Sequence, residues 1–477
     1  VKNSNKPVLA IAGASGFIGT RLIRKLKDSH SIIALSRGKR SPEPGVEWRQ
    51  ANLFSLDQTE RALQGAELAI YLVHSMLPPA DLTQANFEDL DVIAADNFRR
   101  AAEKAGVRQI IYIGGLVDPE RTALSMHLAS RCEVERVLGQ ARCPVTVIRA
   151  GLVVGAGGSS FEMLTQLVRK LPVMLCPRWT QTPTTPISVD DLVALVDYSL
   201  DRPITFGRVF EVGGSDTLTY LDMMKTVARV LGRRRVFIGV PFFSPNLSRL
   251  WVRLVTGKPK ELVGPLVQSL KTPMIPRTRE LEQLAGIRTR SFEQALREAV
   301  AQEQPVVRRA RVLPVVRRGL RTVCSVQRLR HPLGRDAAWV AAEYLLWLPR
   351  GMRTAIRVRV DQSGRCEFLF RGIKAPLLVL RHMRELSRPG YEVYSIEAGV
   401  LVRPNAQGGR LEFRSVVGSQ ATISAIHEFE PRLPWWIYRS SQAIVHLWVM
   451  QRFARHLWTR KEPHDRFRYG IHSKNLS

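Results

Sequence analysis

The sequence predicts an α/β fold, a doubly wound parallel sheet over its first 300 residues, followed by an α+β domain with an antiparallel sheet and a long C-terminal helix. Three observations carry that prediction. The apolar run Pro7-Val8-Leu9-Ala10-Ile11-Ala12 leads directly into Gly13-Ala14-Ser15-Gly16-Phe17-Ile18-Gly19 and then into a helical stretch, Thr20 to Lys27. Strand, glycine turn and helix in that order open a dinucleotide-binding βαβ unit. Strand-like and helix-like segments then alternate as far as residue 150, as parallel strands joined by crossover helices require. Beyond residue 330 the apolar residues fall into period-2 runs separated by short turns, which suits an antiparallel sheet with one covered face.

In order, strands are expected at Val8–Ala12, Ser31–Leu35, Val46–Gln50, Leu68–Val73, Gln109–Ile113 and Val145–Arg149, with amphipathic helices at Ala85–Ala105 and His127–Leu138. Ligands of such a sheet sit at the carboxyl ends of its strands. From Gly151 to Gln302 the pattern is broken by Pro172, Pro177, Pro183 and Pro186, with helices at Asp190–Leu200 and Tyr220–Leu231, as in a small lobe closing over a cofactor. Residues 304–319, opening on Gln304-Pro305-Val306-Val307-Arg308-Arg309, read as a basic linker between domains at 1–303 and 320–477. In the second domain Thr322–Arg330 reads as a strand and Asp336–Leu348 as a helix. Ile356–Val360 and Cys366–Phe370 form a hairpin through Gln362-Ser363-Gly364, and Tyr391–Val402, Leu411–Val417 and Ala421–Phe429 are further strands. One long amphipathic helix, Trp435 to Trp458, ends the pattern.

A chain of 477 residues is too long for one ordinary domain. It contains no apolar run of the ~18 to 20 residues that span a membrane, and no signal peptide opens it. The five cysteines (Cys132, Cys143, Cys176, Cys324, Cys366) are scattered, odd in number and free of CxxC spacing. That argues for a reducing compartment and against a disulfide framework or structural zinc, so no metal and a cytoplasmic location are expected. The net charge of +29 is concentrated late: residues 301–477 hold 31 Lys/Arg against 13 Asp/Glu. Such a surface attracts polyanions, which leaves open peripheral attachment to an anionic inner-membrane face. No nucleic-acid motif accompanies the charge, and a plain arginine bias that aids solubility is the simpler reading. The oligomeric state is not legible.

The glycines of Gly13, Gly16 and Gly19 allow a tight turn and close backbone approach to a pyrophosphate, with the following helix N-terminus supplying N–H groups. Ser15, Phe17 and Ile18 share that cradle. The second strand ends at Ser36-Arg37, where NAD-selective sites carry an acidic side chain. Here Arg37 can fork onto a ribose 2′-phosphate, with Lys39, Arg40 and the Ser36 hydroxyl nearby and no carboxylate before Glu43, which points to NADP(H). Asn52 and Leu53 follow the third strand and are placed to meet adenine; His74 follows the fourth, near the middle of the cofactor.

Together these residues resemble the Rossmann-fold short-chain dehydrogenase/reductase superfamily, in its extended and atypical branches. Further matches are Tyr71-Leu72-Val73-His74-Ser75-Met76, Ile111-Tyr112-Ile113-Gly114-Gly115-Leu116, Arg149-Ala150-Gly151-Leu152-Val153-Val154-Gly155 and Pro186-Ile187-Ser188-Val189-Asp190-Asp191. The likeness covers residues 6–300 and is greatest to the NmrA-like group and the nucleotide-binding accessory subunit of respiratory complex I. Active members of the superfamily carry a serine just after the fifth strand and Tyr-x-x-x-Lys on the next helix. This chain has Gly114 (or Gly115) at the serine position, and His127 and Arg131 in the Tyr and Lys places. Residues i and i+4 share a helical face. His127 titrates near neutrality and is a candidate general acid or base, while Arg131 stays protonated and is a candidate ribose anchor. Ser125 and Tyr112 are candidate replacements for the missing hydroxyl.

The element order of residues 320–460 is similar to the helix-grip fold of START-like lipid-transfer proteins, which implies an apolar cavity under the last helix. Trp435, Trp436, Ile437, Ile444, Leu447, Trp448 and Phe453 are candidates to line it, or simply to fill a core. Three functions follow: an NADP(H)-dependent oxidoreductase acting on an apolar, lipid-like substrate; a non-catalytic NADP(H)-binding redox sensor or assembly protein; and a peripheral lipid-binding module.

Overall fold

The computed structural model describes residues 6–74, 82–117, 124–240, 268–302, 322–352, 356–406 and 408–460. The chain divides into two compact units. The first comprises residues 1–77 and 91–313, the second residues 78–90 and 314–477.

In the first unit, seven parallel strands among the described residues lie in the order Val209–Val212, Val145–Ala150, Gln109–Gly115, Leu68–Tyr71, Val8–Ala12, Ser31–Ser36, Val46–Gln50. Val8–Ala12 pairs with Ser31–Ser36 on one side and Leu68–Tyr71 on the other, with Ala10 opposite both Ile33 and Ala69. Strand order reverses there, so the crevice for a ligand opens at the carboxyl end of Val8–Ala12. Leu9, Ala10, Ile11, Leu68, Ala69, Ile70, Ile110 and Ile111 have no solvent exposure. That is why these strands read as continuous apolar runs: helices cover both faces. Burying each of the larger side chains contributes about 1.5–3 kcal/mol.

The expected fourth strand stops at Tyr71, and Leu72 to His74 leave the sheet at its carboxyl edge. The edge strand Val209–Val212 was not foreseen, because its four residues acquire strand character only by pairing with the distant Val145–Ala150. Within the same compact unit, three short strand pairs accompany the helices Ser159–Lys170, Tyr220–Val230 and Phe292–Gln302, which pack around Phe161, Leu164, Met223, Val227 and Leu296.

The second unit runs strand Val323–Arg330, helix Ala337–Gly351, then strands Ile356–Val360, Arg365–Phe370, Leu378–His382, Tyr391–Ala398, Arg410–Ser415 and Ala421–Phe429. Successive strands pair antiparallel, and the last pairs with Val323–Arg330. A short strand from far earlier in the chain, Leu82–Gln84, adds parallel to Val323–Arg330 at the sheet edge. Neither it nor Leu378–His382 is marked by alternation. The single last helix expected is two, Trp435–Ser440 and Gln442–Thr459, broken at Ser441 with φ −130° and ψ −80°. Phe453 is fully buried, edge-on to Tyr344 at 5.1 Å and tilted against Trp347 at 5.2 Å. Trp436, Ile444 and Trp448 are exposed rather than lining the interior. Among the described residues no helix is long and apolar enough to cross a membrane.

Candidate active site

The glycine turn is built as its chemistry needs. Gly13 has φ +84°, and a Cβ on it would lie 3.3 Å from the Leu72 backbone. A Cβ on Gly19 would stand 2.4 Å from the Gly13 carbonyl oxygen and 2.7 Å from Ala14, so only glycine lets helix Phe17–Leu26 pack this closely on the turn. No side chain caps that helix, and its first turn carries no acidic residue. Its leading N–H groups are therefore suited to an anion. Ser15 is exposed on the turn and Ile18 packs on the core. Phe17 faces the 155–158 loop: a Cβ on Gly155 or Gly158 would meet its ring at 3.0 Å. Arg21 lies over that ring at 4.5 Å and donates to the Ala156 carbonyl, locking the two loops together.

At the carboxyl ends of Ser31–Ser36 and Val46–Gln50 lies a polar hollow of about 420 Å³ lined by Arg37, Arg49, Gln50, Asn52, Gln58 and Arg61. Arg49 pairs with Glu47 and also donates to the carbonyls of Ala62 and Gln64. Arg61 pairs with Asp57. Arg37 is exposed and has no ion pair among the described residues, which leaves its guanidinium available to an anion. The Ser36 hydroxyl is turned inward, donating to the Gly38 carbonyl, and so shapes the loop that presents Arg37. Asn52 accepts from the Phe54 N–H, and the Leu53 carbonyl accepts from Asn97.

His74 and His127, 53 residues apart in sequence, meet at the carboxyl edge of the sheet. His74 Nε2 lies 3.0 Å from His127 Nδ1, and His74 Nδ1 lies 2.6 Å from Asp91 Oδ2. Asp91 is fully buried and also accepts from Ser130 Oγ at 2.8 Å. Burial, reinforced by neighbouring His74 and Arg131, pushes the His127 imidazole down to about 3. Burial lowers His74 as well, against the hydrogen bond and charge of Asp91, which pull it up. Both rings are thus neutral at pH 7. Arg131 donates to the Ile113 carbonyl and lies 5.6 Å over the Tyr112 ring, while its buried Nη1 has no partner among the described residues. An orphaned buried donor at the carboxyl end of strand Gln109–Gly115 fits a ribose hydroxyl.

His127 lines an apolar cavity of about 150 Å³, walled by Leu128, Met163, Leu164, Trp179, Met224 and Met274 among others. A cavity of this size holds a benzene-sized group. Its other ionisable lining residue is Tyr220, which burial pushes well above its ordinary value.

The structure therefore unites Gly13, Gly16 and Gly19 in one cradle, and His74 with His127 in one cluster. It gives the proposed hydroxyl substitutes other work. Ser125 caps helix Met126–Leu138 through the Leu128 N–H and bonds Ser269. Tyr112 donates to the Arg131 carbonyl and is itself buried. Gly114 lies beneath that ring, where a Cβ would meet Tyr112 Cε1 at 3.3 Å, and Gly115 lines the cavity. Asp91 and Ser130 were missed. Their only sequence signal was an acid and a hydroxyl within otherwise apolar helical faces.

Residues 5–247, half of the chain, match the NmrA-like family. The auxiliary protein GraX of Staphylococcus aureus is 32% identical over 113 residues, covering 23% of this chain and 37% of that one. This chain thus spans little more than a third of GraX. The ceramide reductase of Caulobacter vibrioides is 27% identical over 244 residues, 49% of this chain and 74% of that protein. A nucleoside-diphosphate-sugar epimerase from Staphylococcus aureus superposes with a TM-score of 0.50 at 16% identity, over 61% of this chain and 100% of that one. The shared feature there is the fold.

Proposed function

The chain belongs to the NmrA-like family, and from that premise we propose that its first unit is an NADP(H)-dependent oxidoreductase whose apolar substrate enters the cavity beside His127. The carrying observation is the cavity itself: an apolar chamber with one neutral imidazole in its wall, at the carboxyl edge of the sheet that bears the glycine cradle. Gly13, Gly16 and Gly19 would hold the pyrophosphate, Arg37 the 2′-phosphate, Asn52 the adenine side and Arg131 a ribose hydroxyl. Bound nicotinamide supplies or takes up a hydride. The apolar walls exclude water and orient the substrate, and His127 exchanges a proton with its oxygen. A matched relative named as a ceramide reductase supports a lipid-like substrate.

The test is NADPH oxidation against a panel of apolar carbonyl compounds, and reduction of NADP⁺ by the matching alcohols. His127→Ala is expected to abolish turnover and leave NADPH affinity within about 3-fold, since His127 is not in the cradle. Tight NADPH binding with no turnover across the panel favours the sensor or assembly reading instead.

A second reading applies to the C-terminal unit. An apolar cavity of about 170 Å³ lies between its sheet and helix Gln442–Thr459, lined by Leu380, Leu411, Phe429, Val449 and Met450. His446 Nε2 and Gln442 Oε1, both on its wall, are buried without partners among the described residues. This supports a START-like unit that holds an apolar molecule carrying a hydroxyl. Lipids released on denaturing the purified chain, analysed by mass spectrometry, test it. Recovery of none, together with no binding of added long-chain alcohols, refutes it.

A further inference from the structure

The contacts around His127 form a directional chain. A carboxylate only accepts, so in the 2.6 Å contact between Asp91 Oδ2 and His74 Nδ1 the proton belongs to the histidine. When the two rings are neutral, each carries one ring proton. His74 has spent its proton on Nδ1, so its Nε2 is a bare acceptor. The proton in the 3.0 Å contact is then on His127 Nδ1, and His127 Nε2 is left as a bare lone pair. If the pair gains one proton, His74 carries both of its own, His74 Nε2 donates to His127 Nδ1, and the extra proton of the chain emerges on His127 Nε2. In both states Nε2 is the ring nitrogen left for a molecule in the cavity that His127 lines.

Resting on the oxidoreductase reading above, we propose that Asp91 and His74 are positioning residues that fix the tautomer of His127, so that the cluster presents a base at His127 Nε2 and the substrate pair is an apolar alcohol and its carbonyl. As the substrate O–H bond breaks, its proton passes to His127 Nε2, and the proton on His127 Nδ1 passes to His74 Nε2. The positive charge comes to rest on His74 beside Asp91 instead of on His127. The carbinol hydrogen leaves with its electron pair to an oxidised nicotinamide dinucleotide, which is the co-reactant. Reduction of the carbonyl runs the same chain backwards.

The surroundings favour that charge placement. Asp91 is the carboxylate in contact with the pair, and Ser130 donates to the same oxygen. Arg131, one turn along from His127, opposes protonation of both rings. Tyr71 and Tyr112, on the neighbouring strands, are buried, and their hydroxyls stay protonated. Asp91 and Arg131 are the charged side chains that act on both rings. A histidine is needed at 74 because it can both donate to Asp91 and exchange a proton with His127; glutamine or asparagine can hold only one of those states.

The decisive measurement is the ¹⁵N spectrum of histidine-labelled full-length protein near pH 7.5, without cofactor or substrate. Pyrrole-like His74 Nδ1 and His127 Nδ1, with pyridine-like His127 Nε2, is the expected pattern. A pyrrole-like His127 Nε2 overturns the proposal. In the second measurement, Asp91→Asn removes the charge and keeps the shape. The acid limb of kcat/KM for alcohol oxidation is then expected to move to lower pH, with kcat down 10- to 100-fold and NADP⁺ affinity unchanged. A purely structural Asp91 would lower activity without moving the limb, which refutes the role. Should Asp91→Asn fail to fold, His74→Gln serves, because its amide can keep His127 in the same tautomer but cannot carry the charge. Its expected signature is the wild-type His127 spectrum with turnover lost. Absence of turnover in the wild type with every alcohol defeats the oxidoreductase reading, whereas the tautomer pattern is decided by the spectra regardless.

Discussion

Replacing Arg37 tests the cofactor assignment at its most exposed point. The hollow at the carboxyl ends of the second and third strands is lined by three arginines, but Arg49 is held by Glu47 and two carbonyls and Arg61 by Asp57. Arg37 is the guanidinium left to meet a 2′-phosphate. A charge-assisted hydrogen bond contributes about 1.5–3 kcal/mol, and solvent exposure of this side chain favours the lower half of that range. About 1.5–2.2 kcal/mol corresponds to a roughly 10- to 40-fold loss of affinity. NADH has no 2′-phosphate, so Arg37→Ala is expected to weaken NADPH binding by that factor and NADH binding by less than about 3-fold. Calorimetric titration of both nucleotides reads the difference directly. The NADPH advantage should also shrink as salt is raised, since the pair is exposed. Equal weakening of both nucleotides, or an unchanged NADPH affinity, would refute the reasoning, because Arg37 would then be either a fold determinant or a bystander.

The glycine at position 19 should behave unlike an ordinary helical glycine. Gly→Ala within a helix normally stabilises by roughly 0.5–1 kcal/mol, but here the new Cβ would stand 2.4 Å from the Gly13 oxygen. Gly19→Ala is expected to lower the thermal midpoint and weaken NADPH at least 10-fold, whereas Gly38→Ala, with nothing within 4 Å, should leave both unchanged. A rise in the midpoint of Gly19→Ala would contradict the close packing. His446 supplies a pH test. Burial pushes it down to about 4, below its unfolded value of about 6.5, so its contribution is present above pH 6.5 and is lost as pH falls toward 4. The loss is on the order of 3 kcal/mol. His446→Leu should therefore narrow the difference in thermal stability between pH 7 and pH 4.5; an unaltered difference would show that His446 is not held neutral.

Local chemistry was legible where neighbours in sequence are neighbours in space. The strand, glycine turn and helix at residues 8–26 follow from the local residue order, because the constraint on Gly19 is set by residues within six positions and that on Gly13 by Leu72, just past the adjoining strand. Leu82–Gln84 and Val209–Val212 were not legible, since three or four residues carry no periodicity and become strands only through remote partners. The same limit hid the relay. His127 stands out by the resemblance, which implies a tyrosine in its place, and His74 because it follows a strand, yet nothing in their spacing joins them. Asp91 looked like one more acid in the first turns of a helix, where acids are common for dipole reasons. Only the tertiary contact of Asp91 with His74, 17 residues earlier in the chain, turns it into the anchor of a histidine pair.

By the resemblance drawn from the sequence, His127 and Arg131 stand where active short-chain dehydrogenases carry a tyrosine and a lysine, but the surroundings of this site predict that installing those residues does not install that chemistry. A tyrosine acts as a base only where a nearby cation lowers its pKa. In this site Arg131 does pull downward on both neighbouring tyrosines, Tyr71 and Tyr112, but burial outweighs it and raises them. The Arg131 guanidinium is turned toward the Ile113 carbonyl and the face of Tyr112. A tyrosine at 127 would stay protonated and donate to the bare His74 Nε2, closing the chain without leaving a base toward the cavity. His127→Tyr is therefore expected to lose at least about 100-fold in kcat while NADPH affinity holds, and Arg131→Lys in the same chain should recover little of it. Recovery to near wild-type turnover would mean that the cluster of Asp91 and His74 is dispensable, and that a tyrosine can serve as proton donor in this site.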